Sequence, residues 1–95
     1  MPTFHLTRKA TADFQNITSY TLQTWGEAQA LRYAHGIEDC MQLLADNPEL
    51  GQEAEEIRPG LRRMQHAKHV ILYTKVDSAV LILRILHKSM MPRFI

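Results

Sequence analysis

Two apolar runs meet at the dipeptide Asp77-Ser78, and their meeting leaves this chain little freedom in how it folds. His69 to Val76 and Ala79 to His87 are rich in Val, Ile, Leu and Tyr, which favours strands, and two polar residues between them suit a tight hairpin turn. With a two-residue loop, Val76 faces Ala79 and every further pair follows. Successive strand residues point to opposite sides, so this register divides the hairpin into two faces. One holds Val70, Leu72, Thr74, Val76, Ala79, Leu81, Leu83 and Ile85. The other holds His69, Ile71, Tyr73, Lys75, Val80, Ile82, Arg84 and Leu86. The first is the more apolar and is expected to meet the helices. The second is half apolar and half basic. It is expected to stay open, with Ile71, Tyr73, Val80 and Ile82 as a candidate partner surface.

Upstream, the period changes. Ala10, Phe14, Ile17, Thr21 and Trp25 recur at helical spacing, with Thr7 placed to cap the helix and Gly26 to break it. Ala30, Tyr33, Ile37, Met41 and Leu44 mark a second helix. Gly36 lies inside that helix and is expected to let the first one approach closely. Asn47-Pro48 ends it, because proline disfavours helical geometry in the residue before it. Phe4 to Thr7 reads as a short strand. Ile57 to Gln65 reads as another, with Pro59 near its start arguing for an edge position. The expected architecture is α+β: the order β-α-α-β-β-β, a helical hairpin packed on one face of a small, mainly antiparallel sheet, in a single domain over residues 1–95.

The chain has 95 residues, of which 45% are hydrophobic, as in an ordinary globular domain. No apolar run approaches the length of a membrane span, and Met1 to Lys9 lacks the pattern of a secretory signal. The single cysteine, Cys40, has no partner for an internal disulfide, and a reducing cytosol fits. The net charge of +1 hides an asymmetry: residues 1–56 carry −6 and residues 57–95 carry +7. A basic half invites an acidic protein or a polyanion. An acidic half argues against a general nucleic-acid coat.

Several residues could carry chemistry. Arg62 and Arg63 are adjacent, so one faces each side of a strand, and arginine's fork suits carboxylates and phosphates. His66, His69 and His87 with Arg84 could in principle transfer protons and hold a phosphate. The pattern is weak, and a solvated strand-end histidine is the commoner case. No spacing matches a metal site, a P-loop or a dinucleotide fingerprint. Neither a catalytic residue nor a metal or other cofactor is assigned. Cys40 and Trp25 read as core residues. The terminal run Lys88 to Ile95 mixes apolar and basic residues, and either docks on the domain or meets a target.

The ordered set of residues resembles a known family. Leu6-Thr7 with Ala10, Asp13 and Ile17, Tyr20 with Trp25-Gly26 and Gln29-Ala30, and Tyr33 are followed by Leu44-Ala45, Asn47-Pro48 and Leu50-Gly51. Ile57-Arg58-Pro59-Gly60-Leu61-Arg62, His69-Val70-Ile71-Leu72-Tyr73 and Ile82-Leu83-Arg84-Ile85-Leu86-His87 complete the set. Together they resemble ParE-type toxins of bacterial type II toxin–antitoxin systems, within the RelE/ParE superfamily, over roughly residues 6–92.

The resemblance implies a cytoplasmic bacterial protein that inhibits DNA gyrase as a poison rather than an enzyme, in modules associated with plasmid stabilisation. It implies a ParD-like antitoxin as partner, in a toxin–antitoxin hetero-oligomer, and no specific contact with nucleic acid or membrane. RelE-branch relatives instead cut messenger RNA on the ribosome. The acidic connector Gln52 to Glu56 sets this chain closer to the ParE branch, since it would repel RNA. Met91 stands where relatives often have an acidic residue, which leaves a non-toxic, antitoxin-binding member as a further alternative. Residues expected to meet antitoxin or target are Arg62, Arg63, Ile71, Tyr73, Lys75, Val80, Ile82, Arg84, His87 and Arg93.

Overall fold

A computed structural model of the chain describes residues 3–91. Strand β1 (Thr3–Leu6) leads into helices α1 (Arg8–Trp25) and α2 (Glu27–Asp46), then β2 (Gln52–Glu53), β3 (Arg62–His66), β4 (His69–Val76) and β5 (Ala79–His87). A 3-10 turn, Lys88–Met90, follows. The five strands form one sheet in the order β1-β5-β4-β3-β2. β1 runs parallel to β5 and every other pairing is antiparallel. The expected α+β architecture is the observed one, with β2 as an additional short strand.

The helices start and stop where the residues require. The Thr7 hydroxyl accepts from the Ala10 N–H and so caps α1, satisfying one of the donors a helix start leaves free. Gly26 sits at φ 91°, a conformation that costs glycine nothing and breaks the helix between α1 and α2. Gly36 does give room for a close approach, but not to α1: a Cβ there would lie 2.9 Å from His66 Nε2. The imidazole of β3, not the neighbouring helix, uses the space.

The hairpin begins in the expected register, with Val76 opposite Ala79 and Tyr73 opposite Ile82. It then slips. Leu72 pairs with Arg84, which leaves Leu83 as the extra residue of a β-bulge. Past the bulge, Ile85 turns to the side already occupied by Val80 and Ile82.

The assignment of faces is inverted. Ile71, Tyr73, Val80 and Ile82, expected on the open side, are fully buried beneath the helices with Ala10, Ile37, Met41 and Leu44. The polar residues that made this face look open do not interrupt it: His69 and Lys75 stand toward the two ends of β4, and the bulge pairs Arg84 with Leu72 of the other face. The opposite face is covered as well. Val70, Leu72 and Leu86 are buried with Ala54 and Leu61, and Ile57, Leu83 and Met91 pack against them. The cover is the 54–61 segment, expected to be partly strand. It coils instead through hydrogen bonds from the Ile57 and Arg58 N–H groups to the Ala54 carbonyl. Pro59 belongs to this turn, β3 starts only at Arg62, and β2 takes the edge position.

Arg62 pairs across from Tyr73 and Arg63 from Leu72, so the two arginines divide between the helix side and the opposite side. Tyr73 explains why its own side is closed. Its hydroxyl donates to the Pro48 carbonyl at 2.8 Å and accepts from the Gly51 N–H at 2.8 Å. Arg62 donates to the Gly51 carbonyl at 2.7 Å and the Glu49 carbonyl at 3.2 Å. Together they pin the connector leaving α2 against the sheet. A Cβ on Gly51 would meet the Tyr73 ring and, at 2.8 Å, the Arg63 carbonyl.

Tyr73→Phe leaves a buried N–H and carbonyl unpaired and is expected to cost about 1–3 kcal/mol. Gly51→Ala should cost at least as much through its clash. Urea unfolding of the three proteins measures this, and an unchanged midpoint in Tyr73→Phe would show that the hydroxyl does not hold the connector.

Candidate functional site

With both sheet faces covered, the accessible concave surface lies elsewhere. α1, the start of α2 and the far ends of β4 and β5 enclose a groove in two stretches. One, about 380 Å³, is lined by residues that include Asp13, Asn16, Ile17, Ile85 and Met90. The other, about 850 Å³, is lined by residues that include Trp25, Gln29, Arg32, Tyr33 and Lys68. Tyr20, His69 and His87 line both, so the stretches are continuous.

The floor holds a cluster of rings. The β3–β4 turn, with Ala67 at φ 53°, brings His66 and His69 side by side in register, and His87 pairs with His69 across the hairpin. The Tyr33 hydroxyl lies 2.6 Å from His69 Nδ1. The Tyr33 ring centroid is 5.8 Å from that of His66 and 5.5 Å from that of His69, and His69 meets His87 edge-on at 5.5 Å. Burial lowers the His69 pKa to about 4, with His87, His66 and Lys68 adding like-charge repulsion. Neutral His69 can therefore accept the Tyr33 hydroxyl at Nδ1 and keep its own hydrogen on Nε2. Burial also pushes the Tyr33 phenol up, against a smaller opposing effect from a backbone hydrogen bond at Lys68. His87 Nδ1 is engaged by Ser89 at 2.7 Å.

The groove wall is set by a second interaction. Arg84 donates to both oxygens of Asp13, at 2.8 and 3.0 Å. The Ile85 N–H donates to the same carboxylate at 3.0 Å. This bidentate contact raises the Arg84 pKa, chiefly through the hydrogen bond to Asp13. Arg84 is thus committed within the chain.

The expected site residues fall into groups. Ile71, Tyr73, Val80 and Ile82 lie in the core, and Arg62 and Arg84 are bound internally. Lys75 is exposed beside Glu49, and Arg63 and His87 are partly exposed. Arg93 lies outside the described residues. Of the three histidines, His69 and His87 share the groove while His66 packs on Tyr33 and toward Gly36. Among the described residues, no group of three or more His, Cys, Asp or Glu side chains could hold a metal ion, and no helix is long and apolar enough to cross a membrane.

Tyr20, Arg32 and Lys68 were not expected at a site. The available signal was Tyr20, which stands one residue from the apolar stripe at Thr21 and so at its flank. Trp25, expected in the core, is 67% exposed at the groove. Cys40 does pack on the core, and burial raises its pKa.

The chain matches the family model described as ParE toxin of type II toxin-antitoxin system, parDE, over residues 4–92. It is 39% identical to Toxin ParE1 of Caulobacter vibrioides, over 98% of this chain and 96% of that one. It is 32% identical to Toxin ParE of Escherichia coli, over 95% and 88% of the two chains. Its fold is that of a structure of the chromosomal ParDE system from P. aeruginosa, with a TM-score of 0.77 at 24% identity, covering 92% of this chain and 95% of that one.

The low pKa of His69 makes stability depend on pH. The unfolded chain binds a proton at this position below pH 6.5, whereas the folded chain resists it down to about 4. Stability is therefore lost as pH falls through that window. Urea midpoints at pH 7 and pH 5 should drop more in the native chain than in His69→Asn. Equal drops would contradict the assignment.

Proposed function

Since the chain belongs to the ParE toxin family of type II toxin–antitoxin systems, we propose that it acts on DNA gyrase, in the bacterial cytoplasm, as a poison that leaves DNA broken. A ParD-like antitoxin neutralises it by forming a toxin–antitoxin hetero-oligomer. The observation that carries this reading is the 39% identity to a ParE toxin over 98% of the chain. The whole chain acts as one toxin domain. Neither a cofactor nor specific contact with nucleic acid takes part.

Binding rather than turnover is the mechanism we assign. Stabilising the charge of a cleaved phosphodiester needs a cation aimed at the reacting atoms. Arg84 is instead spent on Asp13, and His69 is held neutral and bonded to Tyr33. Both support a non-catalytic reading. Of the residues expected to meet partners, Lys75 is exposed and Arg62, Arg63, Arg84 and His87 are partly exposed; with Arg62 and Arg84 tied to the connector and to Asp13, we retain Arg63, Lys75 and His87 as contacts for antitoxin or gyrase.

Purified chain, gyrase, ATP and relaxed plasmid should yield linear plasmid and reduced supercoiling. Antitoxin added first should abolish both. Unimpaired supercoiling with no breaks would overturn the gyrase reading and direct attention to messenger RNA on translating ribosomes.

A further inference from the structure

Tyr20 and Trp25 are 65% and 67% exposed, and both line the wider stretch of the groove, about 850 Å³. No Val, Ile, Leu or Met lines this stretch. Its walls are the rings of Tyr20, Trp25 and Tyr33, the imidazoles of His69 and His87, and the cations Arg32 and Lys68. An aliphatic side chain finds no branched partner there. A flat π-system does, because stacking on Trp or Tyr needs only an open ring face. The volume lies within the roughly 300–1,000 Å³ of pockets that take organic molecules.

The charges here have one sign. No carboxylate lines the wider stretch, and among the described residues neither Arg32 nor Lys68 nor Lys88 belongs to an ion pair. Arg32 Nη2 donates to Gln29 Oε1 at 2.8 Å, a neutral partner that steadies the guanidinium and leaves its charge whole. The Lys88 N–H donates to the Lys68 carbonyl at 2.8 Å, which sets a second exposed lysine beside the first. Glu27 is exposed at the start of α2, outside the lining. The acidic connector lies at the other end of the sheet. Its Glu49 and Glu53 pair with Lys75 and Arg62, and Tyr73, four residues along β4 from His69, pins it. Four residues of strand span about 13 Å, more than the Debye length of about 8 Å at physiological salt. The repulsion of a polyanion expected from that connector is therefore largely screened at this end.

Open aromatic faces beside cations hold unpaired nucleic-acid strands without reading their sequence: bases stack on the rings, and phosphates meet Lys and Arg. We infer that the wider stretch of the groove binds an unpaired DNA strand, with a base stacked on Trp25 or Tyr20 and adjoining phosphates on Arg32 and Lys68. The contact is independent of base sequence. Duplex DNA, whose bases already stack on one another, offers such a face only at its ends. The role of the contact rests on the reading of a poison that leaves DNA broken, since a broken duplex supplies strand ends. The binding itself is measured without gyrase, so either reading can fail alone.

Trp25 is the only tryptophan of the chain and reports occupancy directly. A short oligothymidylate titrated into the full-length chain should quench Trp25 emission to saturation. A blunt duplex at equal nucleotide concentration should bind at least about tenfold more weakly. With a labelled strand read by anisotropy, Tyr20→Ala should weaken binding by about fivefold or more. Lys68→Glu should weaken it too, and should lower the dependence on salt by about one counterion. Arg58→Glu makes the same change of charge on the segment that covers the opposite face of the sheet, and should bind within about twofold of the native chain. All three side chains are exposed, and matched circular dichroism and urea midpoints confirm that the variants fold. Absence of quenching, or equal affinity for the duplex, would overturn the proposal. So would a loss in Arg58→Glu as large as that in Lys68→Glu, which would show attraction by net charge alone. Each of these failures leaves the gyrase reading standing, whereas strand binding by a chain that does not impair gyrase would keep the site and remove its role.

Discussion

The Asp13 carboxylate holds together the parts of this molecule that most need holding. β1 ends at Leu6 opposite Ile82, so the outer edge of β5 beyond that point has no strand beside it. An open edge offers unpaired backbone groups, and α1 closes this one from its first turns. The Thr7 hydroxyl donates to the Leu83 carbonyl at 2.9 Å, and Asp13 accepts from the Ile85 N–H. Arg84, on the residue between, completes the tie as a fork on the same carboxylate. The bulge at Leu83 falls within this short stretch. The tie and the bulge together turn Ile85 into the helix-side core and bring Arg84 to α1. With the edge closed in this way, α1 stands off the end of the hairpin at the distance that makes a groove.

Charge behaves in the fold as the pairing of halves rather than as a field. Each ion pair among the described residues joins a base from the C-terminal half to an acid from the N-terminal half: Arg62 to Glu53, Lys75 to Glu49 and Arg84 to Asp13. The Lys75 pair is largely exposed at 3.6 Å, and such pairs contribute little to stability. The Arg84 pair is different, being bidentate, short and mostly shielded. What the asymmetry of the sequence leaves over is local. Lys68 and Lys88 are bonded neighbours through their backbones, and Arg32 lines the same groove.

Much of the fold was legible because it rests on local rules. Thr7 caps, Gly26 breaks, Asn47 ends, and Asp77-Ser78 turns, each by chemistry that a few adjacent residues decide. The faces of the sheet were not legible, for a definite reason. Alternation divides a strand into two sides but does not say which side the helices take, and here both sides are buried. The bulge at Leu83 then exchanges sides partway along β5, and no residue type announces it. The Tyr73 hydroxyl, which seemed to want water, finds two backbone partners on a connector more than twenty residues away. The site suffered for the same reason: Ile71, Tyr73, Val80 and Ile82 were chosen for a face that proved to be core. Lys75, Arg63 and His87 stayed accessible because they sit at strand ends or on the thinner cover.

A chain of this length has little apolar area to spare, burying only about 60–65% of what its unfolded form exposes. This one uses a two-sided sheet, with the helices over one face and residues 54–61 over the other. Most of the apolar strand positions are consumed in doing so, with Val76 and Leu81 left partly exposed near the hairpin turn. An aromatic left outside such a core, when the covering segment over the second face is itself short, is area withheld from folding. Tyr20 and Trp25 are two of the three largest exposed hydrophobic residues by fraction, with Leu31 the third at 53%, and both lie where the basic residues gather. The stability forgone by leaving them open makes the groove the part of the described surface where association would gain most.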